Sequence, residues 1–205
     1  LQLMPNVSQK GLAMPQSPIR KLVPYAEAAK KNGAKVIHLN IGQPDIKTPQ
    51  VALDAVRNND IEVLAYSPTE GSEAYRQKLA AYYAANDIHV TASDIIVTVG
   101  GSEALNFVMG SIADTDDEII IPEPFYANYN GFSMAAGVNI VPVVSSIDDG
   151  FALPPIEEFE KLITPKTKAM MIPNLIGNLP KWKKLRELAD KYNLAVIEDS
   201  ADTLG

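Results

Sequence analysis

The stretch Val99-Gly100-Gly101-Ser102-Glu103-Ala104 joins a β-rich run to a helical one through two glycines. Glycines let a backbone approach an anion closely. First-turn N–H groups have no partner within their own helix, and the helix dipole favours negative charge. Gly100, Gly101 and Ser102 therefore have the makings of a phosphate cup. The stretch fits neither GxGxxG nor a GxxxxGK motif, which argues against a dinucleotide or P-loop site. Ser102 is equally an ordinary helix N-cap.

Three other stretches could serve the same site. Pro122-Glu123-Pro124-Phe125-Tyr126-Ala127-Asn128-Tyr129 follows an apolar run and holds three aromatics. A planar ligand could stack on one of them; core packing is the competing reading. Val196-Ile197-Glu198-Asp199-Ser200-Ala201-Asp202 gathers three carboxylates at the end of another apolar run. A buried carboxylate needs a cation, so a protonated ring nitrogen or a metal would serve. Solvent exposure or capping of a following helix is the plain alternative. Tyr66-Ser67-Pro68-Thr69-Glu70-Gly71 reads as a turn before the helix that holds Tyr75 and Arg76, and alone it says little.

These stretches must be positioned by regular elements. Ile95–Val99, Glu118–Ile121, Val138–Val144, Thr167–Ile172 and Leu194–Ile197 read as five short apolar strands. Helical spacing falls between them, at 102–113, 127–136, 155–163 and 181–192. Strands alternating with helices imply a three-layer α/β/α fold with a mainly parallel sheet covered on both faces. The first 90 residues differ, with helices over 18–31 and 72–86, a short strand Val36–Leu39, and a Pro/Gly loop from Gly42 to Pro49. In parallel sheets, sites lie beyond the carboxyl ends of the strands, where the cup, the aromatics and the carboxylates all fall.

Composition narrows the function. The 205 residues suit one large domain, or one and part of a second, at about 150 residues each. The net charge of −7 offers no basic stripe for nucleic acid. There are no cysteines, and only two histidines, His38 and His89, stand far apart, so no metal site is expected. No apolar run is long enough to span a membrane and no leader pattern opens the chain, so the expectation is a soluble cytoplasmic protein.

Taken in register, the stretches resemble the pyridoxal 5′-phosphate (PLP) aminotransferases of fold type I. Residues about 15 to 169 look like the aspartate aminotransferase branch, class I. The likeness is carried by Leu39-Asn40-Ile41-Gly42-Gln43-Pro44-Asp45, Tyr66 to Gly71, Val97 to Leu105, and Pro124 to Tyr129. The resemblance implies roles one by one. Gly100, Gly101 and Ser102 would hold the cofactor phosphate, and Tyr126 would stack on the pyridine ring. Tyr66 would reach across a homodimer interface to the neighbouring cofactor phosphate, and Gly42 would meet the substrate carboxylate. The substrates implied are an amino acid such as aspartate and a 2-oxo acid. Residues 1–45 would belong to the small domain and interface, and 46–205 to an incomplete large cofactor-binding domain.

The likeness changes after Lys168-Ala169. Class I expects an Asn-Pro-Thr-Gly loop and a strand ending Asp-Glu-Val-Tyr. This chain has Ile172-Pro173-Asn174-Leu175-Ile176-Gly177-Asn178-Leu179-Pro180-Lys181-Trp182 and Glu198-Asp199-Ser200-Ala201-Asp202-Thr203-Leu204-Gly205 instead. Both resemble the sugar aminotransferase/dehydratase branch, nearest the nucleotide-sugar 3-dehydratases, which implies a chimera joined near 167–169. In either branch Asp199 would bind the pyridine nitrogen. Asp202 falls where the sugar branch places its contact to the phenolic oxygen, usually an amide-type donor. Asn174 and Asn178 would replace the class I asparagine that bonds the same oxygen.

The resemblance also implies a Schiff-base lysine some tens of residues past Asp199. Lys181, Lys183, Lys184 and Lys191 precede that aspartate on one predicted helix and read as its solvated face. The sequence therefore implies an incomplete, inactive aminotransferase. The alternatives are a PLP-dependent sugar-modifying enzyme and a non-catalytic fragment that binds no cofactor. In fold type I sheets two later strands separate the first large-domain strand from the fifth, a gap of about 14 Å at the usual strand spacing. Ile95–Val99 is therefore expected to lack a neighbour on the side facing the sheet.

Overall fold

The computed structural model describes residues 6–17, 19–40, 42, 44–175 and 179–203. Its helices and strands, in chain order, begin with α1 (Gln9–Ala13), α2 (Val23–Lys31), α3 (Gln50–Arg57), α4 (Glu73–Ala84) and α5 (Gly100–Ile112). The remainder alternates: β1 (Glu118–Glu123), α6 (Tyr129–Ala136), β2 (Asn139–Val144), α7 (Ile156–Lys161), β3 (Thr167–Pro173), α8 (Trp182–Tyr192) and β4 (Ala195–Asp199). The chain forms two compact units, one of residues 1–18 with 99–205 and one of residues 19–98.

The first unit is built on a four-stranded parallel sheet in the order β2-β1-β3-β4. The two central strands, β1 and β3, read as apolar runs because both faces are buried. Ile119 and Ile121 pack with Ala169 and Met171 against Met109 of α5 and Tyr129 of α6. Their neighbours Ile120, Met170 and Ile172 point the other way, into Phe159 of α7 and Leu185, Leu188 and Ala189 of α8. The period-2 alternation of strand side chains thus feeds two cores, one on each side of the sheet. This is the expected three-layer arrangement.

The strand order also fixes where a ligand can sit. From β1 the chain runs outward to β2, then returns past β1 to β3 and on to β4. The winding direction therefore reverses between β1 and β3. At such a switch point the loops leaving adjacent strands diverge and leave a crevice at their carboxyl ends.

Three prolines fall within strands, Pro173 as the last residue of β3. Pro142 lies in β2, an edge strand, where a missing N–H is tolerated. Pro122 was expected to stop β1, yet the strand continues to Glu123. Pairing with β3 covers Glu118 to Ile120 only, so at Pro122 the strand is paired on the β2 side alone.

Ile95–Val99 and Val36–Leu39 are not strands. Both have the right composition, but an extended segment becomes a strand only when a neighbour exchanges hydrogen bonds with it. Val97 N–H donates to the Glu70 carbonyl at 3.0 Å, and no ladder forms around it. Ile37, Leu39, Ile96 and Val99 are exposed.

The unit of residues 19–98 holds α2, α3 and α4 and, among the described residues, no strand. Its best-fixed point is the turn before α4. Arg76 donates to the carbonyls of Gly71 and Ala92 at 3.3 and 2.5 Å. Gly71 has φ +91°, and a Cβ there would lie 2.6 Å from Val97 Cβ, so conformation and space both require glycine.

Candidate functional site

A cavity of about 700 Å³ opens at the switch point, bounded by the carboxyl ends of β1, β3 and β4 and the amino end of α5. That volume suits a small organic ligand. Six residues singled out in the sequence meet around it: Gly101, Ser102, Tyr126, Asn174, Asp199 and Asp202. Leu105, Val108, Met171 and Ile197 supply apolar wall. Gly42 and Tyr66 belong to the other unit, where both are exposed. Asn178 lies outside the described residues.

The amino end of α5 is built by its glycines. Gly100 takes φ +74°, a turn that bulkier residues resist, and so swings the extended chain into the helix. The helix begins two residues before Ser102, with Val99 as N-cap and no side chain capping it. Ser102 is therefore not the N-cap. Glu103 folds back instead, its Oε2 accepting the Val99 N–H at 2.6 Å. A Cβ on Gly101 would meet no atom within 4 Å, and its φ is not positive. Neither packing nor conformation requires that glycine.

β1 delivers the aromatics. Tyr126 is half-exposed at the cavity, with its hydroxyl accepting from Asn128 Nδ2 at 2.6 Å. Its ring meets Tyr129 edge to face, centroids 5.5 Å apart and planes at 89°. Tyr129 is buried and also stacks on Phe125, at 5.9 Å and 30°.

β4 delivers Asp199. Its Oδ2 accepts the Tyr129 hydroxyl at 2.5 Å and its Oδ1 accepts the Ala201 N–H at 3.0 Å. Burial first, and then the bond and charge of Asp199, push the Tyr129 phenol far above its ordinary pKa. Tyr129 is thus a permanent donor. Among the described residues Asp199 forms no ion pair.

β3 delivers Asn174, which is buried. Its Nδ2 donates to Glu198 Oε1 at 2.5 Å and to Ser200 Oγ at 3.1 Å, and Ser200 Oγ donates to Glu198 at 2.8 Å. The carboxylate fixes which end of the amide carries the N–H groups. The Asn174 Oδ1 is left buried with no partner. Asn174 thus lines the cavity with its N–H groups already committed to Glu198 and Ser200, where the class I likeness implied a donor to the ligand.

Tyr129, Glu198, Ser200 and Glu103 were not assigned site roles from the sequence. Tyr129 had one visible signal, its place in the same aromatic loop as Tyr126. Glu198 and Ser200 act through Asn174, which only the fold brings close, whereas Glu103 acts locally, on Val99 four residues before it. Lys181, Lys183, Lys184 and Lys191 are exposed on or beside α8, as their spacing implied. Among the described residues no lysine lines the cavity, no cluster of three or more His, Asp or Glu could hold a metal, and no helix is long and apolar enough to cross a membrane.

Comparison with known proteins gives this geometry a family. The sequence profile of "Aminotransferase class I and II" matches residues 34–201, a span that includes 167–169. An arginine–pyruvate transaminase of Pseudomonas aeruginosa is 32% identical over 185 residues, covering 85% of this chain and 46% of that protein. An aspartate/prephenate aminotransferase of Thermus thermophilus is 31% identical over 171 residues, covering 82% and 44%. Among solved structures, a double mutant of Thermus thermophilus aspartate aminotransferase superposes with a TM-score of 0.84 at 28% identity, over 96% of this chain and 53% of that one. The Thermotoga maritima aspartate aminotransferase gives 0.83 at 29% identity, over 95% and 54%. The chain spans about half the length of the relatives it matches. A doubly wound sheet with its cavity at the switch point and a matching profile over most of the sequence lead to one conclusion: the chain belongs to the class I and II aminotransferase family.

Proposed function

We propose that this chain carries the cofactor pocket of a PLP-dependent aminotransferase that moves an amino group between an amino acid such as aspartate and a 2-oxo acid. The family is PLP-dependent, and its members take amino acids and 2-oxo acids as substrates. The observation that carries the reading is the meeting of the α5 amino end, the Tyr126 ring and the Asp199 carboxylate around one cavity.

The residues present fit the cofactor. Gly101 leaves room for an anion at a helix amino end, and Tyr126 offers a half-exposed aromatic face. Asp199 is a carboxylate with two donors and no cation, facing a cavity with apolar walls, which suits a protonated ring nitrogen. When bound, PLP supplies a ring that accepts the electron pair left on the substrate as its α-hydrogen departs. The chain's own residues do the rest. The amino end of α5 binds the phosphate, Tyr126 orients the ring, and Asp199 holds the proton on the ring nitrogen. Asn174 and Asp202 line the same cavity, but the Asn174 N–H groups are taken by Glu198 and Ser200, so neither residue supplies the donor that the resemblance implied for the phenolic oxygen.

The finer reading follows the family resemblance. The working enzyme is a cytoplasmic homodimer, with residues 1–45 at the small domain and interface and residues 46–205 in the cofactor domain. Tyr66 reaches the partner's cofactor phosphate, and Gly42 meets the substrate carboxylate. With no lysine at the cavity among the described residues, the 205-residue chain binds PLP without a covalent link and does not turn over.

Titrating the chain with PLP and following absorbance and tyrosine fluorescence tests this. Saturable binding is expected, weakened about fivefold or more by Tyr126→Ala, the usual worth of an aromatic contact. Borohydride should fix no cofactor within the cavity, where no lysine lies among the described residues. Equal affinity in the parent, Tyr126→Ala and Asp199→Ala would remove the site.

The Asn174–Glu198–Ser200 cluster lies in the two stretches that look like the nucleotide-sugar branch and favours a second reading, a PLP-dependent sugar-modifying enzyme. A nucleoside-diphosphate sugar that binds the PLP-loaded chain when aspartate does not would select it.

A further inference from the structure

We propose that Tyr129 is the positioning residue that locks the two ring-recognising groups of the cavity, the Asp199 carboxylate and the Tyr126 face, into one geometry. This inference rests on the PLP reading and adds a residue to which that reading gives no part.

Tyr129 is the first residue of α6 and is 1% exposed. A phenol buried that deeply must find a partner for its hydroxyl, and any nearby carbonyl would satisfy it. Here the partner is the carboxylate at the end of a strand 70 residues away in sequence. The contact does more than satisfy a buried group. Asp199 Oδ2 is held by Tyr129 and Oδ1 by the Ala201 N–H, so the carboxylate plane is fixed at two points. The edge of the same Tyr129 ring abuts Tyr126 at 5.5 Å and 89°, while Asn128 holds the Tyr126 hydroxyl. Tilting Tyr126 therefore disturbs Tyr129, and moving Tyr129 releases Asp199. Phe125 backs Tyr129 from a third direction and keeps the ring from rotating.

The consequence is that a ring stacked on Tyr126 meets the carboxylate in a fixed orientation. A merely structural Tyr129 would affect stability alone, or all ligands alike. The Tyr129 ring, through Tyr126, bears on any stacked ligand, but its hydroxyl, acting through Asp199, affects only ligands that carry a ring nitrogen. Binding of two probes separates these cases: PLP, and its 1-deaza analogue with the ring nitrogen replaced by C–H. Both keep the phosphate and the aromatic face.

In the 205-residue chain, PLP should bind more tightly than the deaza analogue. In Tyr129→Phe, which keeps the ring and its packing, that preference should fall by roughly tenfold, the worth of a charge-assisted hydrogen bond, with deaza affinity changed less than about twofold. In an Asp199→Asn background, adding Tyr129→Phe should change the preference no further. An undiminished preference in Tyr129→Phe overturns the proposal, as does an equal loss for both probes. A parent chain that binds neither probe overturns the PLP reading and this inference with it. A second measurement does not need Tyr129→Phe to fold. Ultraviolet titration of the parent and of Asp199→Asn should show one phenol titrating at lower pH in the variant. Identical phenol titrations would also overturn the proposal.

Discussion

Glu103 reaches back one turn to accept the Val99 N–H at 2.6 Å, placing a carboxylate where α5 has no capping side chain of its own. The helix starts on two glycines, so this contact is the side-chain support for its first turn. Glu103→Ala should destabilise the chain by about 1 kcal/mol, the usual worth of a lost cap. Glu103→Gln, which keeps an oxygen acceptor, should recover much of that loss. Urea denaturation of the three chains measures both, and equal midpoints for Ala and Gln would show that the contact contributes little.

Gly101 allows stability and ligand binding to be separated. Its φ is not positive and an added Cβ meets nothing within 4 Å, so Gly101→Ala should raise helix stability by a few tenths to about 1 kcal/mol. On the proposed PLP reading, the same methyl would stand in the way of the phosphate. A chain that melts no earlier yet binds PLP at least several-fold more weakly is the expected outcome. Unaltered affinity would move the anion site elsewhere.

The core facing α7 and α8 turns on Phe159, which is fully buried against Ile120, Met170 and Leu185. Phe159→Ala removes the largest side chain of that cluster and should destabilise by about 3–5 kcal/mol. That is a large share of the roughly 5–15 kcal/mol typical of a domain. A loss under about 1 kcal/mol in urea denaturation would mean that this core is not packed as described.

One acid-sensitive feature sits before α5. The Asp94 carboxyl accepts from the Thr91 hydroxyl and from the Thr91 backbone N–H, at 2.7 and 2.8 Å. The side-chain bond first, and the backbone bond next, hold its pKa below the ordinary aspartate value. A depressed acid contributes stability above its unfolded pKa and loses it as pH falls through the folded one. Melting curves from about pH 6 to pH 2 should therefore fall less steeply for Asp94→Asn than for the parent. Parallel curves would show that the capping box does not survive in solution.

The sheet was legible for a physical reason. Strands buried on both faces must be apolar throughout, so Glu118–Ile121, Thr167–Ile172 and the runs near Val141 and Val196 stood out. Ile95–Val99 has the same composition and still makes no ladder, because composition does not supply a neighbour. α1 and α3 were not read from the sequence: both are short, and neither has a buried residue. In the site, Asp199 and Tyr126 could be singled out by residue type, and both line the cavity. The orientation of Asn174 was not, since it depends on Glu198, 24 residues away, and on which end of an amide the fold leaves unpaired.

Ile119, Ile120 and Ile121 feed opposite cores with identical side chains. Sliding β1 by one residue would leave isoleucine on both faces, so hydrophobicity alone scarcely chooses between the two alignments. The choice is made at the start of the strand. Lys168 is the extra residue of a bulge between Glu118↔Thr167 and Ile119↔Ala169, and Thr164 donates to the Glu118 carboxylate. A slip would shift Pro124 to Tyr126 by about 3.3 Å along the strand and carry the Tyr126 ring away from Asp199. The bulge and Glu118 therefore act as a ruler, set at one end of β1 and read at the other. Changes there should show first as a miscalibrated pocket in a chain that still folds.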